Sequence, residues 1–233
     1  LPLPSCYLNE HVSVDLYLQK ELRAADRVFS LDITLASDSQ RIVLYGPSGS
    51  GKSLTLKAIA GLMRPDSGHI RIQGRTLFDS AQGIDVRVQE RNVAYLFQDY
   101  ALFPHLTVAQ NIAFGLARGS VNLRRPAEHP AVRQWLQAFE LEAIAHSRPA
   151  QISGGQRQRV ALARALVAEP DMLLLDEPFS ALDLSLRQRM RSELAELQSR
   201  LQVPMLLITH DPADVEALGQ TVFELRDGRL HRP

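Results

Sequence analysis

Gly46-Pro47-Ser48-Gly49-Ser50-Gly51-Lys52-Ser53 fits the pattern G-x-x-x-x-G-K-[ST], and its flanks have the character that pattern requires. Arg41 to Tyr45, just before it, reads as a short apolar strand. After it Leu54, Leu56, Ile59 and Leu62 recur at helical spacing until Gly61 and Pro65 stop the helix. A glycine loop between strand and helix turns backbone N–H groups inward around a phosphate. Lys52 then reaches the β and γ phosphates and the Ser53 hydroxyl ligates Mg²⁺. The stretch Gly46 to Leu54 is therefore the candidate nucleotide-binding segment. Multiplying residue frequencies gives about one chance match per thousand chains of this composition. The loop by itself leaves kinases, GTPases and motor ATPases open.

A second segment supplies acids. Met172 to Leu175 is a continuous apolar run ending in Asp176-Glu177, which places two carboxylates at the C-terminal end of a buried strand, where open α/β sheets bind ligands. Asp176 is the candidate Mg²⁺ residue and Glu177 the candidate general base for an attacking water.

The rest of the chain supports an α/β fold: a P-loop NTPase core with a mostly parallel sheet, an N-terminal antiparallel β subdomain and an inserted α-helical subdomain. Val12 to Leu18 and Phe29 to Leu35 alternate apolar and polar residues, which predicts an antiparallel hairpin. Ile70 to Ile72 and Arg75 to Phe78 flank a Gln73-Gly74 turn, and Val93 to Phe97 reads as a buried strand. Between Gln98 and Gln151 strand signals vanish, and helices are expected over Val108 to Leu116 and Ala131 to Ala145. Gly154 to Ala168 reads as a helix capped by Ser153 and ended by Glu169-Pro170, and Leu184 to Leu201 as a long amphipathic helix. Met205 to Thr209 and Thr221 to Leu225 read as further strands. The expected layout is one domain over 12–233, with 12–97 and 152–233 as the nucleotide core and 98–151 as the helical lobe. Residues 1–11 carry two prolines and no signal-like pattern, and read as a tag remnant or disordered extension.

Composition narrows the classes. With 26 basic and 26 acidic residues the formal net charge is zero, so nothing favours nucleic acid or anionic lipid as a partner through general attraction. Cys6 is the single cysteine, which excludes internal disulfides and cysteine-based zinc sites and fits a reducing compartment. The longest apolar runs fall far below the roughly 18 residues a membrane helix needs.

Ile152-Ser153-Gly154-Gly155-Gln156, upstream of the Asp176-Glu177 strand, resembles the signature of the ABC transporter ATPase family, with Ile152 where leucine is usual. Three further positions match that family in order. Gln98 resembles the Q-loop glutamine, Ser180-Ala181-Leu182-Asp183 the D-loop, and His210, after the strand Met205 to Thr209, the switch histidine. The resemblance covers nearly the whole chain from Val12 onward. The other six histidines, such as His129 and His146, have no motif and read as surface or satisfied residues.

The resemblance implies an ATPase that works as a head-to-tail dimer, with ATP and Mg²⁺ as cofactors. Ser153, Gly154, Gly155 and Gln156 of one copy would face the γ-phosphate held by the loop of the other, and Asp183 would meet the partner subunit. Gln98 would touch Mg²⁺ and the attacking water, and His210 would hydrogen-bond the γ-phosphate. Glu177, His210 and Gln98 thus form the expected catalytic set, and Ser53, Gln98 and Asp176 the expected metal set. Tyr100 to Val108 resembles the segment by which importer ATPases receive a helix of the membrane permease, with an exposed Phe103 as anchor. A solute-binding protein would be an indirect partner, and the location the cytoplasmic face of the membrane. The likeness is greatest to molybdate importer ATPases, with sulfate, ferric iron and polyamine importers close behind. Many of these carry a C-terminal regulatory domain, and here eight residues follow Leu225, which implies its absence or removal. The family stacks adenine on an aromatic residue in the N-terminal strands; Phe29 and Tyr17 are the candidates, and neither falls clearly at that spacing. An ABC-type ATPase of DNA repair, chromosome structure or translation stays open, as does a P-loop kinase. The compact insert and single motif set do not favour the first, and Ser153 to Gln156 and His210 do not fit the second.

Overall fold

The computed structural model describes residues 13–24, 27–116, 125–180, 182–201 and 203–231. Residues 1–11, Val12 and Ala181, on which some of the expectations above fall, lie outside them. Eleven strands form one sheet: β1 (Val14–Ala24), β2 (Arg27–Ser37), β3 (Arg41–Tyr45), β4 (Ser67–Ile72), β5 (Arg75–Asp79), β6 (Ile84–Asp85), β7 (Val93–Leu96), β8 (Met172–Asp176), β9 (Met205–Thr209), β10 (Thr221–Arg226) and β11 (Arg229–His231). Among the described residues six helices accompany them: α1 (Lys52–Ala60), α2 (Val108–Phe114), α3 (Pro130–Ala138), α4 (Gly154–Leu166), α5 (Leu184–Leu201) and α6 (Pro212–Leu218). The strand order is β6-β5-β4-β1-β2-β11-β10-β3-β9-β8-β7. From β10 to β7 every pairing is parallel, and from β6 to β2 every pairing is antiparallel. The expected parallel core and antiparallel N-terminal part are thus halves of one continuous sheet, joined where β11 pairs parallel with β2.

The apolar runs of the central strands follow from burial on both faces. Because side chains alternate along a strand, Met172 and Leu174 point to the side shared with Leu56 and Ile59 of α1, while Leu173 and Leu175 point to the side packed by α2, α4 and α5. The second of these clusters runs without a break from Leu207 in the sheet to Ile112, Val132 and Leu136 in the helical segment. Among the described residues no helix is long and apolar enough to cross a membrane.

Several elements differ from the sequence expectation. The β1–β2 hairpin continues to Ala24 and Arg27 because its polar tip is held by cross-strand backbone pairing and by Lys20, which bonds Asp66 at 2.6 Å. Val93 to Leu96 is an edge strand rather than a buried one: among the described residues β8 is its sole neighbour, and within the strand Leu96 alone is fully buried. The helix expected to reach Ala145 ends at Ala138, because Glu140 adopts a left-handed φ of 55° and the chain resumes as a 3₁₀ turn over Glu142–Ile144. Short β6, β11 and α6 had no sequence signal strong enough to register.

Arg91 fixes the far end of α1. Its guanidinium, 2% exposed, donates to the terminal carbonyls of Ala58 and Ile59 at 2.8 Å each, to Val86 O at 2.8 Å and to Asp85 Oδ1 at 3.1 Å. A cation on the last carbonyls of a helix satisfies groups that otherwise lack partners and complements the helix dipole. Arg91→Met keeps the apolar stem and removes those donors, so it should cost about 3 kcal/mol of stability and lower Tm by roughly 10 °C. A urea or thermal melt within 1 kcal/mol of wild type would show that the carbonyls find water at no cost.

Candidate active site

Three parallel strands deliver the predicted residues to one edge. β3 ends at Tyr45 and leads into the phosphate loop, β8 ends at Asp176, and β9, between them, ends at Thr209 just before His210. The loop returns into α1 through Gly51, whose φ of 107° is open to glycine at little cost. A Cβ there would lie 2.7 Å from Leu31 Cδ1 and 3.1 Å from Phe29 Cζ, so the loop also packs against β2 too tightly for another residue. No side chain caps α1, which leaves its first-turn N–H groups facing the loop.

Lys52 is 5% exposed and lies under the loop, its ammonium donating to Gly46 O and Pro47 O at 2.8 Å each. Burial lowers its pKa, and the nearby Glu177 and Asp176 carboxylates oppose that shift. The Ser50 hydroxyl is buried in the same loop without a hydrogen-bond partner. Pro47, Ser48 and Gly49 face solvent, while Leu54 packs against the apolar cluster behind the loop.

Ser53 Oγ donates to Asp176 Oδ1 at 3.2 Å, and Tyr95 of β7 donates its hydroxyl to the other oxygen, Oδ2, at 2.6 Å. Glu177 follows with a left-handed φ of 46°, a conformation that costs energy outside glycine, and its amide is held on Ile208 O at 3.1 Å. Glu177 Oε2 and His210 Nδ1 are 3.1 Å apart, with the histidine open to solvent and the carboxylate mostly covered. Lys52, Ser53, Asp176, Glu177 and His210 are therefore gathered around one cleft. Ser53 and Asp176 offer adjacent hard oxygen donors suited to Mg²⁺, and among the described residues no group of three or more histidine, cysteine, aspartate or glutamate side chains forms a metal cage. A magnesium ion here would complete its shell with water and phosphate oxygens. The unpartnered Ser50 hydroxyl and the open α1 terminus are suited to a phosphate in the same way.

Other predicted residues stand apart. Gln98 is exposed, separated from the end of β7 by Phe97. Ser153 and Gln156 form a reciprocal capping box, Ser153 Oγ accepting from Gln156 N at 3.2 Å and Gln156 Oε1 from Ser153 N at 2.9 Å. Gly154 and Gly155 lie under Leu182 and Leu186 rather than near the loop of their own chain. Asp183 accepts from Leu186 N at 3.0 Å and Ser185 Oγ at 2.8 Å, bonds that hold its carboxyl below the usual range. Phe103, expected to stand exposed, is half-buried because Phe114 packs on it at 4.4 Å between centroids and Arg164 lies over its ring at 5.6 Å; Phe114 carries the exposed surface, at 46%. Fully buried Asn111 holds that loop by bonding Phe103 N, Phe103 O, Leu106 O and Thr107 O. Of the two aromatic candidates, Phe29 touches the loop at Gly51, whereas Tyr17 lies beside His69.

The sequence reading missed two sets of residues. Tyr95 is one. The other lies beneath His210, where Thr209 and Asp214 bond at 2.5 Å, Arg191 donates to Asp214 and Asp211, and Arg187 joins Asp211 Oδ2 at 3.2 Å to Leu182 O at 3.1 Å. The arginines recur at i, i+4 on α5 and the acids follow His210 at positions 211 and 214, a spacing that was available as a signal.

The ABC transporter family profile matches residues 30–180. The chain is 44% identical over 208 residues to the "Probable sulfate/thiosulfate import ATP-binding protein CysA" of Chlorella vulgaris, covering 89% of this chain and 83% of that protein. It is 42% identical over 215 residues to the molybdenum import ATP-binding protein ModC of Mycobacterium tuberculosis (strain CDC 1551 / Oshkosh), covering 91% of this chain and 58% of the relative's length. A solved dimeric structure of the ATP-binding cassette MJ0796 in a post-hydrolysis state with ADP and Pi superposes with a TM-score of 0.75 at 28% identity, covering 94% of this chain and 97% of that one. By the extent of the profile match and these identities, the chain belongs to the ABC transporter family, as an ATPase cassette.

Proposed function

We propose that this chain is the ATP-hydrolysing subunit of an importer for a tetrahedral oxyanion, molybdate or sulfate, and that it acts as a head-to-tail pair on the cytoplasmic face of a membrane. The observation that carries the catalytic part is the 3.1 Å pairing of Glu177 with His210 beside the Lys52 loop and the Ser53–Asp176 pair. Lys52 exchanges its Gly46 and Pro47 carbonyl partners for the β and γ phosphates, and the loop amides and Ser50 add hydrogen bonds to them. Phe29, against Gly51, is the wall nearest the base. Ser53 and Asp176 would hold the magnesium ion, with Gln98 from the start of the helical lobe. When bound, that ion neutralises charge on the transferred phosphoryl group. Glu177 takes the proton of the attacking water, and His210 keeps the Glu177 carboxylate oriented and reaches the γ-phosphate. The protein's contribution is positioning and charge stabilisation.

Ser153, Gly154, Gly155 and Gln156 complete the site from a second copy. In their own chain Gly154 and Gly155 sit against Leu182 and Leu186, and while the Ser153 cap takes the Gln156 amide, the amides of Gly154 and Gly155 stay open to meet a phosphate. Asp183 belongs to the same interface. The division into a nucleotide core, 12–97 with 152–233, and a helical lobe, 98–151, is part of this reading. The permease docks on the lobe beside Phe103 and the exposed face of Phe114, and the solute-binding protein acts on the permease. The names of the relatives, one a sulfate/thiosulfate and one a molybdenum import protein, support an oxyanion without choosing between the two.

Glu177→Gln should lower hydrolysis at least 100-fold, keep ATP affinity within a few-fold, and accumulate an ATP-dependent dimer on gel filtration. Wild-type turnover in that variant removes the base assignment. Phe103→Ala with Phe114→Ala should leave ATP binding unchanged and reduce transport about tenfold in vesicles reconstituted with the permease, whereas undiminished transport would place the docking surface elsewhere. Co-purifying the membrane and solute-binding partners and identifying the anion retained should yield molybdate or sulfate. Ferric iron or a polyamine in its place overturns the oxyanion reading.

A further inference from the structure

Asp176 carries two hydrogen bonds from opposite sides. Ser53 donates to Oδ1 at 3.2 Å and Tyr95 to Oδ2 at 2.6 Å, the shorter of the two and within the range of a charge-assisted O–H···O bond. Tyr95 reaches across from β7, where it pairs in register with Leu174 of β8, two residues before Asp176. Its ring is half-buried and packed at 4.5 Å against Phe97, the residue before Gln98. A carboxylate at the end of a strand can rotate about its last bond. One held at both oxygens cannot, and each oxygen keeps a free lone pair for a further ligand.

We propose that Tyr95 is a positioning residue for Asp176, its hydroxyl locking the carboxylate in the orientation that receives the magnesium ion of bound nucleotide. The proposal rests on the assignment of Asp176 as a magnesium residue. It gives the short edge strand β7 a role that its marginal burial does not explain: β7 carries a hydrogen-bond donor to the acid and leads through Phe97 into Gln98. Outer groups that orient a ligand of a metal commonly change metal affinity by 10- to 100-fold when removed. Tyr95→Phe retains the ring and its contact with Phe97, so the hydroxyl alone is tested.

The measurement is the affinity of the intact chain for ATP, first in EDTA and then at rising Mg²⁺. Tyr95→Phe should match wild type within about twofold in EDTA, which also shows that it is folded, and should need about tenfold more Mg²⁺ for half of the Mg²⁺-dependent gain in affinity. Phe97→Leu disturbs the same packing without touching the hydroxyl and should keep the wild-type Mg²⁺ midpoint. A Tyr95→Phe midpoint within twofold of wild type, or an equal shift in Phe97→Leu, overturns the proposal. Asp176→Asn separates the two ways of failing. If it loses the Mg²⁺ response while Tyr95→Phe keeps it, the positioning role alone falls; if it too responds like wild type, the assignment of Asp176 falls and that of Tyr95 with it.

Discussion

The end of β9 is the constraint on which the site depends, because it supports a neighbour on each side. Gly46, the first residue of the phosphate loop, donates its amide to Thr209 O at 3.3 Å, and Glu177 donates its amide to Ile208 O at 3.1 Å. Both bonds extend the parallel ladders one residue past the strands, so the loop on one flank and the acid pair on the other are referenced to two consecutive carbonyls of a single strand. Their separation is then set by the fixed spacing of neighbouring strands and does not depend on loop lengths. Met205 to Thr209 is buried at every position, so this reference frame has little freedom to move.

Electrostatics follows from that frame. An ammonium removed from water must find partners, and Lys52 finds two carbonyls of its own loop while Asp176 and Glu177 supply compensating charge nearby. Those carbonyl bonds belong to neutral acceptors; on the proposed function a phosphate would offer charged ones in the same place, and the exchange would not require rebuilding the site. The left-handed φ of Glu177 is held by its amide bond to β9 and by Ser180, which bonds its carbonyl through both N and Oγ. Backbone strain of this kind persists only where neighbouring bonds fix it, and here it turns the carboxylate toward His210.

How much of this could be read from the sequence depended on whether the signal was local. Arg41 to Tyr45 and Leu184 to Leu201 were bounded correctly because the apolar run of the strand and the periodicity of the helix are complete within the element, and the Ser153 cap because Ser153 and Gln156 lie three residues apart. Gathering Lys52, Asp176 and His210 at one edge was legible because each follows an apolar strand and parallel strands end together. The edge position of β7 was not legible, since Val93 to Leu96 is as apolar as a central strand and its single neighbour is a matter of topology. Tyr95 escaped for the same reason, its hydroxyl partner being 81 residues away. Phe103 was expected in the open from the likeness of Tyr100 to Val108 to a docking segment, and nothing in that stretch signalled Phe114 folding back or Asn111 pinning the loop.

The start of α5 connects what the motifs list separately. On one side Leu186 lies against Gly155, so the first turn of α4 and the segment Leu182 to Leu186 pack as one body. On another, Arg187 ties Leu182 O to Asp211, the residue after His210, and Arg191 continues the link to Asp214, itself bonded to Thr209 at the end of β9. Arg191 and Asp214 are both more than 90% buried, and breaking a buried pair of this kind leaves a charge without compensation, which makes the connection stiff. A displacement of Asp183 relative to the sheet is therefore resisted at the carbonyl end of β9, the same point that holds Gly46 and Glu177. The surface around Ser153 and Asp183 and the sheet edge that carries Lys52, Asp176 and His210 are in this sense two ends of one chain of packing contacts and hydrogen bonds.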